Sequence, residues 1–90
     1  MLYRQGDTAL IPSTNEAPKG TPGRVVLARG VSTGHEHVLV SAIADADPPR
    51  LVYVPETTTL DHPEHGEISI EPGVYAVRRQ IESDNTQVED

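Results

Sequence analysis

Aliphatic residues along this chain recur at two-residue intervals, and no segment sustains an apolar period of 3.6 residues. The pattern predicts strands over Thr8–Ile11, Arg24–Arg29, His37–Ile43, Leu51–Val54, Glu67–Ile70 and Val74–Gln80. The clearest alternation is Glu67-Ile68-Ser69-Ile70-Glu71, whose isoleucines at i and i+2 face one side of a strand. Lys19-Gly20-Thr21-Pro22-Gly23, Asp47-Pro48-Pro49 and Glu71-Pro72-Gly73 punctuate these segments with turn residues. Pro72-Gly73 suits the centre of a type II turn, so the last two strands are expected to pair as a hairpin. The reading is an all-β fold, a small single-domain barrel or sandwich of about six short strands with no substantial helix. Residues 1–82 form the domain, with 13–23 a long polar loop, and 83–90 read as a mobile acidic tail.

Composition sharpens this picture. Fifteen Val and Ile residues against six Leu favour a pleated surface over a helix. The chain has 90 residues, with three Tyr as its only aromatics, so the core must be thin and aliphatic. Having no cysteine, it has no disulfides, thiolate metal sites or Cys nucleophiles. The N-terminal stretch has no apolar signal region, and the longest apolar runs fall far short of the roughly 20 residues of a membrane span. These features give the expectation of a cytoplasmic protein without membrane contact, with association with a virion as an alternative.

The net charge of -7 is localised. Residues 31–75 hold eight acids (Glu36, Asp45, Asp47, Glu56, Asp61, Glu64, Glu67, Glu71) and one base, Arg50. The rest of the chain sums to zero. An acidic chain of this kind lacks the clustered positive charge that a nucleic-acid backbone requires, so no nucleic-acid partner is expected. A protein partner or homo-oligomerisation is compatible with the composition.

All four histidines lie in the same acidic stretch, in two spaced pairs: Gly34-His35-Glu36-His37 and His62-Pro63-Glu64-His65. In extended backbone, residues i and i+2 point to one face, so His35 and His37 can aim at one ion. Residues three apart in a turn can converge as well. His35, His37, His62 and His65 are therefore candidate ligands of a divalent metal, zinc first, with Glu64, Asp61 or Asp45 as carboxylate candidates. If the site is catalytic, Glu64 is the candidate general base beside a metal-activated water. The plainer alternative is that these imidazoles only pair with neighbouring carboxylates.

Other stretches carry weaker signals. Tyr3-Arg4-Gln5-Gly6-Asp7 reads as a strand start with a turn, or as a polar cluster near a site. Arg78 and Arg79 are candidates for clamping an anionic small ligand, or simply balance the acidic segment. No Gly-x-Ser-x-Gly nucleophile motif and no phosphate-cradling glycine loop occurs.

The His35-Glu36-His37 core resembles the first metal-binding motif of cupins, which are small β-barrels; the resemblance implies a barrel with His35 and His37 as ligands. No glutamate follows at the cupin distance, and Ala76 stands where the second cupin motif has histidine. The chain is more similar to a group of short, uncharacterised bacterial and phage proteins. That likeness rests on Tyr3–Asp7, Gly34–His37, His62–His65 and Pro72–Gln80. It implies a shared fold and site without an activity. Where that group continues with Glu-Tyr, this chain has Ile81-Glu82-Ser83. The functional expectation is a small β-barrel protein with a histidine-rich divalent-metal site. The alternatives are an accessory interaction module on a larger, phage-related assembly, or a protein that binds a small anion.

Overall fold

The computed structural model describes residues 1–29 and 34–79. Eight strands follow one another: β1 (Tyr3–Gln5), β2 (Thr8–Pro12), β3 (Gly23–Arg29), β4 (Glu36–Ala44), β5 (Leu51–Val54), β6 (Thr58–Asp61), β7 (Ile68–Ile70) and β8 (Gly73–Arg79). Every pairing is antiparallel, in the order β1-β2-β8-β5-β4-β6-β7, with β3 also on β4. The sheet curls into a nearly closed barrel, and no helix occurs among the described residues. The six expected strands are present to within a residue at each boundary. The predicted tail over 83–90, with Gln80, lies outside the described residues.

Two strands lie outside those six: β1, where Tyr3–Asp7 reads as a strand start with a turn, and β6, which the spacing does not indicate. Gln5 pairs with Thr8 across Gly6 and Asp7, with Gly6 at φ 59°. This is the positive-φ entry that two-residue hairpin turns require. For β6, three successive threonines (Thr57, Thr58, Thr59) carry the β-branched signal, and Thr58 and Leu60 point inward.

The expected hairpin between the last two predicted strands does not form. Instead β7 pairs with β6, whereas β8 lies between β2 and β5. The Glu71–Gly73 corner therefore carries the chain from one half of the barrel to the other. Two tyrosines hold it: Tyr75 Oη donates to the Glu71 carbonyl at 2.7 Å, and Tyr3 Oη accepts from the Glu71 N–H at 3.1 Å. The Tyr75 ring packs 3.5–3.6 Å from the position a Cβ on Gly73 would take. Gly73 adopts φ 154° beneath that ring, a value that L side chains rarely take and far from the roughly +80° of a type II turn. Burial raises the Tyr75 hydroxyl pKa above the ordinary tyrosine value, and Tyr3 and Glu71 beside it add to the effect.

The nine-residue strand β4 ties the barrel together. Its first half pairs with β3 and β6, and its end pairs with β5. Between Gly23↔Ala42 and Val25↔Leu39 the register gains one residue on β4, a bulge at Val40-Ser41. A bulge shifts the alternation by one. His37 and Leu39 thus point inward before it, and Ala42 points inward after it. Leu10, Leu27, Leu39, Val52, Val54, Leu60, Ile70 and Tyr75 form one buried cluster. Each fully buried aliphatic contributes about 1.5–3 kcal/mol.

Candidate functional site

Strand register brings the two histidine pairs together. β4 and β6 pair through Val38↔Asp61 and Leu39↔Leu60. Continuing that register one step places His37 opposite His62, and three steps place His35 opposite Glu64. The side chains follow this geometry: the His37 and His62 rings are 4.3 Å apart, and His35 Nδ1 lies 2.8 Å from Glu64 Oε1. His62 also continues the inward alternation of Thr58 and Leu60. His37 is 0% exposed and His62 1%, so both belong to the barrel interior at this end.

The His62–Gly66 turn presents the second pair. The Gly66 N–H donates to the His62 carbonyl at 3.0 Å, and Gly66 adopts φ 78°. The backbone N–H groups of Glu64 and His65 both donate to His62 Nδ1, at 3.0 and 3.1 Å. The imidazole thus caps its own turn, as an Asx side chain does. With Nδ1 accepting, a neutral His62 carries its proton on Nε2. His65 is exposed, with its ring 4.5 Å from that of His62 and 6.0 Å from that of His37.

His37 uses its Nδ1 the opposite way, toward a residue near the start of the sequence. Gln5, itself buried, donates from Nε2 to the carbonyls of Leu60 (3.1 Å) and Gly66 (2.6 Å). Its Oε1 is thereby the acceptor 2.8 Å from His37 Nδ1, which must donate. The other ring nitrogen of His37, Nε2, lies 3.8 Å from Oδ1 of the buried Asp7. The same logic holds at the rim, where the Glu64 carboxylate accepts from His35 Nδ1. Gln5 ends β1 and Asp7 lies in the β1–β2 turn, so Tyr3–Asp7 supplies both a strand with a turn and a polar cluster at the site. Gln5 also bridges the seam between β1 and the β6–β7 half by side chain.

Two imidazoles on one tetrahedral zinc have ring centroids roughly 5 Å apart, given Zn–N bonds of about 2.0–2.1 Å. The His37–His62, His62–His65, His35–His62 and His37–His65 separations of 4.3, 4.5, 5.6 and 6.0 Å bracket that figure. Among the described residues, however, no group of three or more His, Asp or Glu side chains is already arranged to hold a metal ion.

The remaining candidates lie elsewhere. Asp61 is exposed at the end of β6. Asp45 Oδ1 accepts from the N–H groups of Arg50 (2.9 Å) and Leu51 (3.1 Å). Partial desolvation pushes its carboxyl pKa up, but those backbone donors outweigh it and hold the value below the ordinary aspartate range. Glu36 points away from the histidines and accepts from Arg24 (2.9 Å) and Arg29 (2.8 Å), which lower its pKa. Arg79 donates to the carbonyls of Leu27 (2.7 Å) and Pro49 (2.8 Å), tying β8 to β3 and the β4–β5 loop, and burial lowers its pKa. Arg78 is exposed.

Fold and site together define a small antiparallel barrel with a buried histidine–carboxamide–carboxylate cluster at one end. The chain belongs to the family described as Domain of unknown function (DUF8820), which it matches over residues 4–80. That span includes Gln5, Asp7 and all four histidines. No curated protein and no solved structure matches the chain.

Proposed function

We propose that this barrel binds a divalent metal, zinc by preference, on the floor formed by His37 and Asp7, with His65 and His35 completing the ligand set. The observation that carries the reading is the Gln5–His37–Asp7 arrangement. A buried amide anchored at two carbonyls fixes Nδ1–H of His37 and sets its Nε2 3.8 Å from a buried carboxylate. Ligating histidines are oriented in this way by an acceptor on the other ring nitrogen. His62, expected from its spacing to be a ligand, serves better as the cap that shapes the turn carrying His65. The exposed His65 has its ring 6.0 Å from that of His37, near the spacing of two imidazoles that share an ion. The absence of thiolates favours an N/O site of moderate affinity.

A second reading draws on the same hydrogen bonds: the network is a polar clasp that closes the barrel seam and needs no ion. Metal analysis of the purified, untagged protein separates the two. The metal reading expects close to one zinc per chain and a higher Tm with zinc than with chelator. It also expects His37→Ala to weaken zinc binding at least 10-fold in a chelator-competition titration. Substoichiometric metal, with a Tm indifferent to both zinc and chelator, would leave the clasp.

A further inference from the structure

β3 is an edge strand: among the described residues it pairs with β4 alone, on one side. Two adjoining clefts of about 260 and 200 Å³ lie between it and the β4–β5 loop. They share Val26, Arg29 and Asp47, so they make one groove along the strand, with Val25, Ala46 and Pro48 among its apolar walls. The β3 main chain meets this groove at Leu27, whose carbonyl accepts from Arg79 Nε, while Arg79 Nη2 donates to the Pro49 carbonyl on the far side. At that point a side chain supplies the hydrogen bond that a neighbouring strand would supply.

Arg24, Arg29 and Arg79 line the groove, against one acid, Asp47. Arg50 offsets Asp45, the next acid on the loop. The Arg24 and Arg29 side chains are 63% and 59% exposed and share the single carboxylate of Glu36, each through one N–H. A guanidinium carries five N–H donors, so both keep donors for a second carboxylate. The groove is thus locally cationic on a chain of net charge -7. We propose that β3 accepts an extended acidic segment of a partner protein as an added strand along Gly23–Val26, its carboxylates meeting Arg24 and Arg29. Main-chain pairing supplies the affinity and the arginines the selectivity. A second copy of this chain fits poorly. Antiparallel self-pairing centred on Val26 and Leu27 sets Arg24 against Arg29 across the two-fold, and like charges face to face destabilise a sheet. Charged residues guard edge strands against self-association in this way.

The test uses the full chain and a fluorescein-labelled octapeptide of alternating glutamate and valine, blocked at both ends. Fluorescence anisotropy should rise saturably to one peptide per chain, and the matching lysine–valine peptide should bind roughly 10-fold more weakly or worse. Arg29→Gln should weaken the glutamate peptide at least threefold with the far-UV circular dichroism spectrum unchanged. At saturation, amide hydrogen exchange within Arg24–Val26 should slow roughly 10-fold or more, as pairing with an added strand requires. No saturable binding, or equal binding of the two peptides, overturns the acidic class. Binding that leaves exchange in β3 unchanged overturns the added strand. A dimer in sedimentation that protects the same amides assigns the edge to a second copy and overturns the proposal. So does a roughly 10-fold gain in peptide affinity on replacing Glu82, Asp84, Glu89 and Asp90 by their amides, which assigns the edge to the chain's own acids.

Discussion

Gln5→Ala is the sharpest test of how this end of the barrel is held. The substitution removes three hydrogen bonds: two to the carbonyls of Leu60 and Gly66, and one from His37 Nδ1. It strands their partners in the interior, because Gln5 is 3% exposed and His37 0%. At 0.5–1.5 kcal/mol per net hydrogen bond, the loss is about 3 kcal/mol, before any penalty for the cavity. For a domain of this size that corresponds to a fall in Tm of roughly 12–24 °C. Urea unfolding followed by far-UV circular dichroism gives the free energy directly, and the slope m should stay at the wild-type value. Gln5→Glu provides the control. It keeps the acceptor for His37 but sets a carboxylate against two carbonyl oxygens, and should destabilise at least as much. A loss below about 0.5 kcal/mol for Gln5→Ala would mean that the seam is held by something other than this amide.

Three further outcomes are expected. His62→Ala removes the acceptor of two backbone N–H groups and should cost about 1–2 kcal/mol by urea titration. His62→Asn, which can accept the same bonds, should recover part of it. Gly66→Ala should cost about 1 kcal/mol from its φ of 78° alone, since nothing lies within 4 Å of the added Cβ. Asp45→Ala should cost about 1 kcal/mol at pH 7 by releasing the N–H groups of Arg50 and Leu51. Because folding lowers the Asp45 pKa, its stabilisation is complete above the unfolded value near 3.8 and fades as pH falls through the lower folded value. The difference between wild type and Asp45→Ala should therefore shrink below about pH 4, as thermal melts across an acid series would reveal.

Much of the architecture is legible in the aliphatic spacing, because strand period and burial leave the same mark. Leu51–Val54 emerges with its expected bounds, and the Ile68/Ile70 face points inward as alternation requires. What escapes is pairing. Pro72-Gly73 looks locally like a hairpin turn, and only the Tyr3 and Tyr75 hydroxyls on Glu71 explain why the chain crosses over instead. At the site, the spacing of the histidines shows that they could converge, and the β4–β6 register determines how. Gln5 and Asp7 are legible only as part of a polar cluster near a site, because nothing beside them shows that a partner lies 32 residues away in the chain. The turn chemistry of Gln5-Gly6-Asp7 gives them an ordinary local reason to be there, and that reason is also true. Arg79 is the converse case: a charge that suggests a ligand but is committed to main-chain carbonyls.

The strand shared by both halves of the barrel constrains how the protein can come apart. β4 contributes main-chain hydrogen bonds to β3, β5 and β6 at once, with its phase change at the Val40-Ser41 bulge. Neither half can melt by itself without stripping partners from the other, so loss of structure should be a single concerted event. The same sharing dictates where the sequence can tolerate change. A cut or insertion inside β4 breaks two halves at once. The loop between β2 and β3, over residues 13–22, carries no strand pairing and is the natural place to lengthen, split or fuse the chain.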